Sequence, residues 1–448
     1  MGPYSRCRFN HPGPISFYYF ALAGKLLPFI TSDFGKHLFS QLLLNYIFLI
    51  FSLHALYKSL KDIPYDCFLL FITLLFSLSV LKPILYACVW GPAIIIFPML
   101  LFVLSSSRCA SGDVKAFLPL AAAAVFITQN HVGTLVIVVP FLLVSLLFYF
   151  CSKIGHSIPI CRKDVAYLLG ALAILLAAYS LPLYEQLHSE HGNMSKIYSY
   201  FSHARRFQHP FKESASFVMS YYTQPLKKLH VEIPTSVCLP IICILALANI
   251  ARKNMFLNNL LFFGFAGLTL SIFGAMNVVG GLYDYLLSYE YVFVAIFYYL
   301  TLSTIVQMVA HPDIRTSTFY LALPFGTTIL IAYACTLFSM NCDDTVLRLI
   351  EAIKPDKNHT YKIAVRNRKE HHNQWGTAAG LVLQLAKRGY PVCVSSRILF
   401  MFGNEFTCTG RYNIVLITLY SSDAYKKAGD EKVFTYGNTT IEYGLAGD

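Results

Sequence analysis

The sequence predicts an α-helical polytopic membrane protein of about ten spans with a small C-terminal α/β soluble domain. Three observations carry this. Apolar residues make up 56% of the 448 and charged residues only 13%, where a soluble chain has about 25% charged. The apolar residues gather into runs with no charge past their first residue, most of them near the ~20 residues that cross a ~30 Å hydrocarbon core. After Met340 the pattern changes, and short strands alternate with amphipathic helices.

The runs are 38–57, 66–81, 89–104, 116–128, 132–151, 165–183, 237–250, 256–275, 290–309 and 318–338. Four of them, 66–81, 89–104, 116–128 and 237–250, are short as drawn, so their ends are expected to extend into the flanking loops. The stretch 15–30 (ISFYYFALAGKLLPFI) is interrupted by Gly24, Lys25 and Pro28. It predicts an amphipathic helix lying at the interface, not a span. Trp is scarce, with two residues against 30 Tyr, so Tyr must supply the interfacial aromatics.

Lys58 and Lys61, then Arg108 and Lys115, then Lys153, Arg162 and Lys163, then Arg252 and Lys253, and last Arg315 fall in alternate loops. Basic residues mark the cytoplasmic side. This places residues 1–37, the loop 184–236 and the tail 339–448 outside, on either side of a transmembrane domain over 38–338. The formal charge is +12, but it is dispersed over short loops and forms no stripe, which argues against a nucleic-acid partner. Membrane lipids are the expected surroundings.

In the tail, DDTVLRLIEAIK reads as a helix, 361–366 as a strand and 373–389 as a helix closed at Gly389. Strands follow at 391–395 and 412–420, and VFTYG with TTIEY forms a hairpin. The alternation predicts a partly parallel sheet. Its expected core is Val365, Leu381, Leu383, Val392, Val394, Val415 and Ile417. Most of the 12 cysteines lie in spans or inner loops, as small buried apolar residues. Cys393 and Cys408 both fall in the outer domain, where oxidising conditions permit a disulfide, and their pairing stays open. No CxxC, HExxH or paired Cys/His spacing marks a metal site. Three N-x-S/T sequons, at Asn193, Asn358 and Asn438, fall on the outer side. They matter only in a eukaryotic secretory pathway.

Two outer-facing motifs are more specific than composition. One is Gly2-Pro3-Tyr4-Ser5-Arg6 followed by Phe9-Asn10-His11-Pro12-Gly13-Pro14, leading into ISFYYFALA. The other is Thr128-Gln129-Asn130-His131-Val132-Gly133-Thr134, a tight turn between two apolar runs. In the tail stand Gln374-Trp375-Gly376-Thr377-Ala378-Ala379-Gly380, Gly389-Tyr390-Pro391-Val392-Cys393-Val394 and Phe400-Met401-Phe402-Gly403. Together these resemble the integral-membrane glycosyltransferases of the GT-C superfamily, in the bacterial group akin to protein mannosyltransferases and lipid A aminoarabinose transferases. Members of that group read like NHPGPLYFYLLAP at the first outer loop and QTHVG at a later one.

The resemblance implies a bacterial inner-membrane enzyme that moves a sugar from a polyprenyl-phosphate-linked donor to an acceptor on the outer face. The acceptor is a glycolipid, a polysaccharide or a protein, and the role of a divalent metal is left open. Displacement at the anomeric carbon needs a carboxylate base for the acceptor hydroxyl and cations for the departing lipid phosphate. Asn10, His11, Gln129, Asn130 and His131 are the candidates for substrate binding, and Lys82, Arg205 and Arg206 for phosphate binding. A plain reading stands beside each. The Asn10–Pro14 turn is also good entry chemistry for a helix. The 129–131 turn also reads as polar residues facing water. Loop arginines are commonly solvated, and Lys82 beside Pro83 also reads as a snorkelling lysine. Asp284 and Glu290 read as interfacial polar residues or as carboxylates at a membrane cavity.

The resembling enzymes carry an acid in the first outer loop, after an initial span. Here nothing acidic precedes Asn10. A chain that starts outside also lacks a span to carry it there. The expectation is therefore a preceding apolar span ending in the base, with Asp33, the first outer acid, as the fallback. Two other classes compete. A transporter or flippase for a lipid-linked substrate predicts internal repeats and mid-span charge, and the sequence shows no convincing repeat and no mid-span Asp, Glu, Lys or Arg. A catalytically inactive scaffold of the same fold is the third.

Overall fold

Apolar runs of about 20 residues satisfy their backbone without water by forming helices. The computed structural model describes residues 2, 9–30, 33–60, 66–81, 91–155, 157–190, 192–203, 208–248, 250, 253–309, 342–365, 373–408, 413–421, 432–436 and 439–445. The chain divides into two compact units, Met1–Pro3 with Asn10–Leu337 and Tyr4–Phe9 with Phe338–Asp448.

The described part of the first unit is helical. Its helices are α1 (Ile15–Leu26), α2 (Asp33–Ser59), α3 (Asp66–Leu78), α4 (Gly91–Ile94), α5 (Ile96–Ala110), α6 (Phe117–Asn130), α7 (Leu135–Gly155) and α8 (Arg162–His188). Then come α9 (Asn193–His203), α10 (Phe211–Ser220), α11 (Gln224–Lys228), α12 (Thr235–Leu247), α13 (Met255–Met276) and α14 (Glu290–Val309). Among the described residues six stretches are long and apolar enough to cross a membrane: Gly35–Ser59, Gly91–Ala110, Val132–Gly155, Arg162–His188, Met255–Met276 and Glu290–Met308. Asp66–Leu78, Val114–Asn130 and Thr235–Leu247 are apolar but shorter. The predicted run 318–338 lies outside the described residues.

Helices α5 and α8 show why this is a membrane fold. Their mean hydropathies are nearly equal, 1.9 over Gly91–Ala110 and 2.0 over Arg162–His188, yet 94% of the first window is buried and 11% of the second. Along α8, Leu169, Leu172, Leu176 and Leu183 are exposed, as are Leu143 and Leu147 of α7. Soluble monomers rarely present an apolar surface of that extent to water, and a bilayer would cover it. Helix α5 runs through the centre, packed by α2, α6, α7 and α13. Beside it Phe141 of α7 contacts Phe102, Phe263 and Phe293, with ring centroids 5.9, 4.7 and 6.3 Å away. Gly267 lets α13 and α14 close, since a β-carbon there would overlap the Phe293 ring.

One difference from the sequence reading lies in α3. Its first described residue, Asp66, packs against α14 inside the bundle. Asp66 is fully buried and accepts from Tyr299 Oη at 2.7 Å and Ser303 Oγ at 2.8 Å, both near the middle of α14. An acid is therefore present inside the bundle, where the sequence reading has none.

The second unit holds α15 (Cys342–Ile353), β1 (Thr360–Val365), α16 (Asn373–Lys387), β2 (Val392–Val394), β3 (Ile414–Ser421), β4 (Lys432–Tyr436) and β5 (Thr439–Leu445). The sheet order is β2-β1-β3-β5-β4, with β2, β1 and β3 parallel and β3, β5 and β4 antiparallel. Helix α16 makes the crossover from β1 to β2, and Gly389, at φ +75°, turns the chain after it. Val365, Leu381, Val392, Val394 and Ile417 are buried as expected, and Val415 is half-buried. Leu383 is a correction: it is 45% exposed. On α16 the buried set is Ala378, Leu381, Val382 and Leu385, a helical i, i+3, i+4, i+7 stripe, and a residue two past Leu381 points the other way. Cys393 and Cys408 form a disulfide, with Cα atoms 5.2 Å apart.

Candidate functional site

Helix α6 ends at Asn130, and His131 is extended (φ −149°, ψ 94°) before the short 3₁₀ turn Val132–Thr134 opens α7. Thr134 closes the turn, its Oγ1 donating to the His131 carbonyl at 2.6 Å. Contrary to the plain reading of its composition, Gln129 and Asn130 do not face water, while His131 is half-buried and Gly133 exposed. Gln129 and Asn130 are each 1% exposed. Such burial requires partners. Gln129 Nε2 donates to the Ala178 carbonyl of α8 at 2.8 Å, and its Oε1 accepts from the Ile15 amide at 3.1 Å. One amide side chain of α6 thus ties the start of α1 to α8. Asn130 Nδ2 donates to the Phe126 carbonyl at 2.7 Å, and the Thr128 and Tyr179 hydroxyls bond to each other.

The Asn10–Pro14 turn docks on this surface. His11 Nδ1 accepts from the Val132 amide at 3.2 Å, 121 positions away in the chain. Its carbonyl accepts from the Gly2 amide at 3.0 Å. Two glycines are needed for this approach. A β-carbon on Gly13 would overlap the Gln129 side chain, and one on Gly2 would overlap the Gly13 and His11 carbonyls. The His11 and His131 rings lie nearly parallel, 23° apart, with centroids 5.8 Å apart. Burial pulls His11 down to about 3, helped by the neighbouring His131, and burial pulls His131 down to about 4. Both are neutral at pH 7. With Nδ1 accepting, neutral His11 carries its proton on Nε2. The Nδ1 of His131 is buried with no hydrogen-bond partner.

Asn10 is held by a residue the sequence marks only as a sequon. Its amide donates to Asn193 Oδ1 at 2.7 Å, and its carbonyl accepts from Asn193 Nδ2 at 2.8 Å. Asn193 is 3% exposed, and its own amide donates to the carboxylate of Glu185 at 3.1 and 3.3 Å. Glu185 thereby becomes an acid of the same cluster. It sits in the last turn of α8, and no motif in the sequence distinguishes it.

Asn10, His11, Gln129, Asn130 and His131 therefore all meet. Asp33 opens α2, and its side chain lies outside the description; Lys82, Arg205 and Arg206 lie outside the described residues. A second polar set occupies the same end of the bundle. Glu290 is fully buried, accepting from Ser271 Oγ at 2.6 Å and Tyr222 Oη at 3.2 Å. The Asp284 carbonyl accepts from Tyr221 Oη at 2.6 Å. The two sets meet through α4. A β-carbon on Gly91 would strike the Asn130 carbonyl, and the Pro92 carbonyl accepts from Ser288 Oγ. Among the described residues no group of three or more His, Cys, Asp and Glu gathers as metal ligands. No protein-family model, curated protein or solved structure matches the chain.

Proposed function

We propose that the protein is a multi-span membrane glycosyltransferase of about ten crossings, moving a sugar from a polyprenyl-phosphate-linked donor to an acceptor at the outer face. One observation carries the reading. The two motifs on which the resemblance rests are far apart in sequence, yet they pack into one polar constellation through the bonds of His11 to Val132 and of Gln129 to Ile15. The orientation agrees with it, because Lys58, Arg108, Lys153, Arg162 and Lys253 all sit at the other ends of their helices or in the loops there.

In this reading the half-buried Asn10, His11 and His131 hold sugar hydroxyls, and the sealed Gln129 and Asn130, bonded within the protein, keep them in position. Glu185, in place of an acid further upstream, takes the proton of the acceptor hydroxyl. The acceptor oxygen bonds to the anomeric carbon as the carbon–oxygen bond to the lipid phosphate breaks, and Lys82, Arg205 and Arg206 are the cations assigned to the departing phosphate. The test is a transfer assay on reconstituted full-length protein. Glu185→Gln should lower turnover by about 10²–10⁴-fold, and His131→Ala or Asn10→Ala should abolish transfer with membrane insertion intact. Arg205→Ala and Arg206→Ala should each weaken donor binding by about 1.5–3 kcal/mol. Full activity in all five variants would refute the site. A protein that inserts and folds but transfers nothing in the wild-type form would be the inactive scaffold.

The buried acids Asp66 and Glu290, both bonded to hydroxyls within the bundle, favour the second reading, a transporter of a lipid-linked substrate, since intramembrane acids mark such pathways. Movement of the lipid across a reconstituted vesicle without product would select it.

A further inference from the structure

At the end of the helical unit opposite the His11–His131 cluster lies a cavity of about 280 Å³, lined by Lys58, Ser59, Arg108, Ser111, Asp113, Asn254, Met255 and Phe256. It sits where α2 and α5 end and α13 begins, at the edge of the apolar belt. We propose that it binds a phosphate group, as carried by the head group of an anionic phospholipid.

Four features converge on that chemistry. Lys58 and Arg108 supply two cations. The single acid, Asp113, offsets one of these charges and leaves a net positive cavity: one of its oxygens accepts from the Lys115 amide at 3.1 Å and the other holds a terminal nitrogen of Arg108. Asp113 thus fixes a guanidinium whose remaining N–H groups stay available for a planar oxyanion. Arg108 keeps 14% of its side chain exposed, so the cation stands at the base of the cavity instead of extending into water.

The N-terminus of α13, a helix of 22 residues, forms another wall. Asn254 caps it through the Leu257 amide at 3.1 Å. The Met255 and Phe256 amides have no acceptor within their own helix and lie at its positive end. Asn259 Nδ2 donates to Ser111 Oγ at 2.9 Å and fastens this wall to the turn after α5. Met255 is 42% exposed beside it, an apolar flank for the first carbons of an acyl chain. The volume is close to the lower end of ligand cavities, about 300 Å³, enough for a head group and too small for a lipid.

The test uses the full chain reconstituted in vesicles of equal parts phosphatidylglycerol and phosphatidylcholine, then extracted, with the retained lipid counted by native mass spectrometry. Phosphatidylglycerol should be retained in preference. Lys58→Gln should lower that preference about fivefold, the ratio that corresponds to about 1 kcal/mol per basic side chain at an anionic surface. Arg108→Gln should do the same, and Arg108→Lys, which keeps the charge, covers the case in which the glutamine variant fails to fold. Lys163→Gln, a basic change at the same end but outside the cavity, should leave the preference intact. A second arm adds inorganic phosphate to protein in pure phosphatidylcholine. Thermal stabilisation there that Lys58→Gln removes would show the same site taking free phosphate. No preference in either arm, or equal losses in Lys58→Gln and Lys163→Gln, would overturn the proposal.

Discussion

At one end of the helical unit, Gln129, Asn130 and Glu290 are sealed from solvent and bonded to backbone and hydroxyl groups. At the other end, Lys153 pairs with Asp164 and Arg108 with Asp113, with four side chains 6–35% exposed. Both ends must finish apolar helices where water returns. The first does so with short-range partners that tolerate little displacement. The second uses charges, whose attraction falls off slowly with distance but is weakened by solvent and salt. The first end is thus held by precise short-range bonds and the second by ion pairs at the water boundary.

The largest effect expected from this contrast is steric. Gly13→Val places a side chain into the volume of Gln129. Overpacking of that kind costs about 1–3 kcal/mol, and displacing Gln129 forfeits its bonds to Ile15 and Ala178, about 1 kcal/mol each. Gly155, at the opposite end of α7, has open space where its β-carbon would go, so Gly155→Ala should be near neutral. Thermal unfolding of the solubilised protein measures both. Similar losses for the two variants would remove the distinction between the ends.

The next effect is titration. Burial holds His11 at about 3 and His131 at about 4, below the 6.5 of a free histidine. The unfolded chain therefore binds more protons between about pH 6.5 and 3, and stability falls as pH falls through that window. The contribution is fully present above about pH 6.5. Protonated His11 also loses the Nδ1 acceptor that receives the Val132 amide. Unfolding midpoints followed from pH 7 to pH 4.5 should drop, and the His11→Gln/His131→Gln double variant should flatten the slope. An unchanged slope would mean that the rings are not desolvated as the geometry requires.

How far the sequence discloses these features depends on the range of the interactions. Span positions are set by local hydropathy, so nine of the predicted runs coincide with described helices. The sheet unit is legible for the same reason: alternation marks β1, β3 and the β4–β5 hairpin, and only Leu383 is assigned to the wrong helix face. Motif residues such as His11 and His131 stand out by their unusual setting between apolar runs. What cannot be read locally is their partner. Asn193 looks like a modification signal until its amide is seen clasping Asn10. Glu185 looks like one acid among several in an outer stretch until it is found on the Asn193 amide. Asp66 sits at the start of a run, and only its bonds to Tyr299 and Ser303 place it inside the bundle. Each of these depends on tertiary packing, which hydropathy does not encode.

The smallest effect belongs to the charged end. Lys153 Nζ lies 3.1 Å from Asp164 Oδ2 and 5.6 Å from the centroid of the Tyr149 ring. Lys153→Met keeps most of the apolar stem and removes the charge. Asp164 retains its other task, accepting from the Cys161 amide at 3.1 Å at the start of α8, so the helix cap survives the change. What is lost is one charge-assisted hydrogen bond of a largely shielded pair, 15% and 6% exposed, about 1.5–3 kcal/mol. The drop in unfolding midpoint should be smaller than that of Gly13→Val. Raising the salt from about 0.1 M to 1 M shortens the screening length from about 10 Å to 3 Å, and the difference between Lys153→Met and the parent should shrink with it. The cost of Gly13→Val, being steric, should not change with salt. If the lysine variant instead loses as much as the glycine variant, or loses it equally at both salt concentrations, the charged end is held by packing, and its chemistry is that of the opposite end.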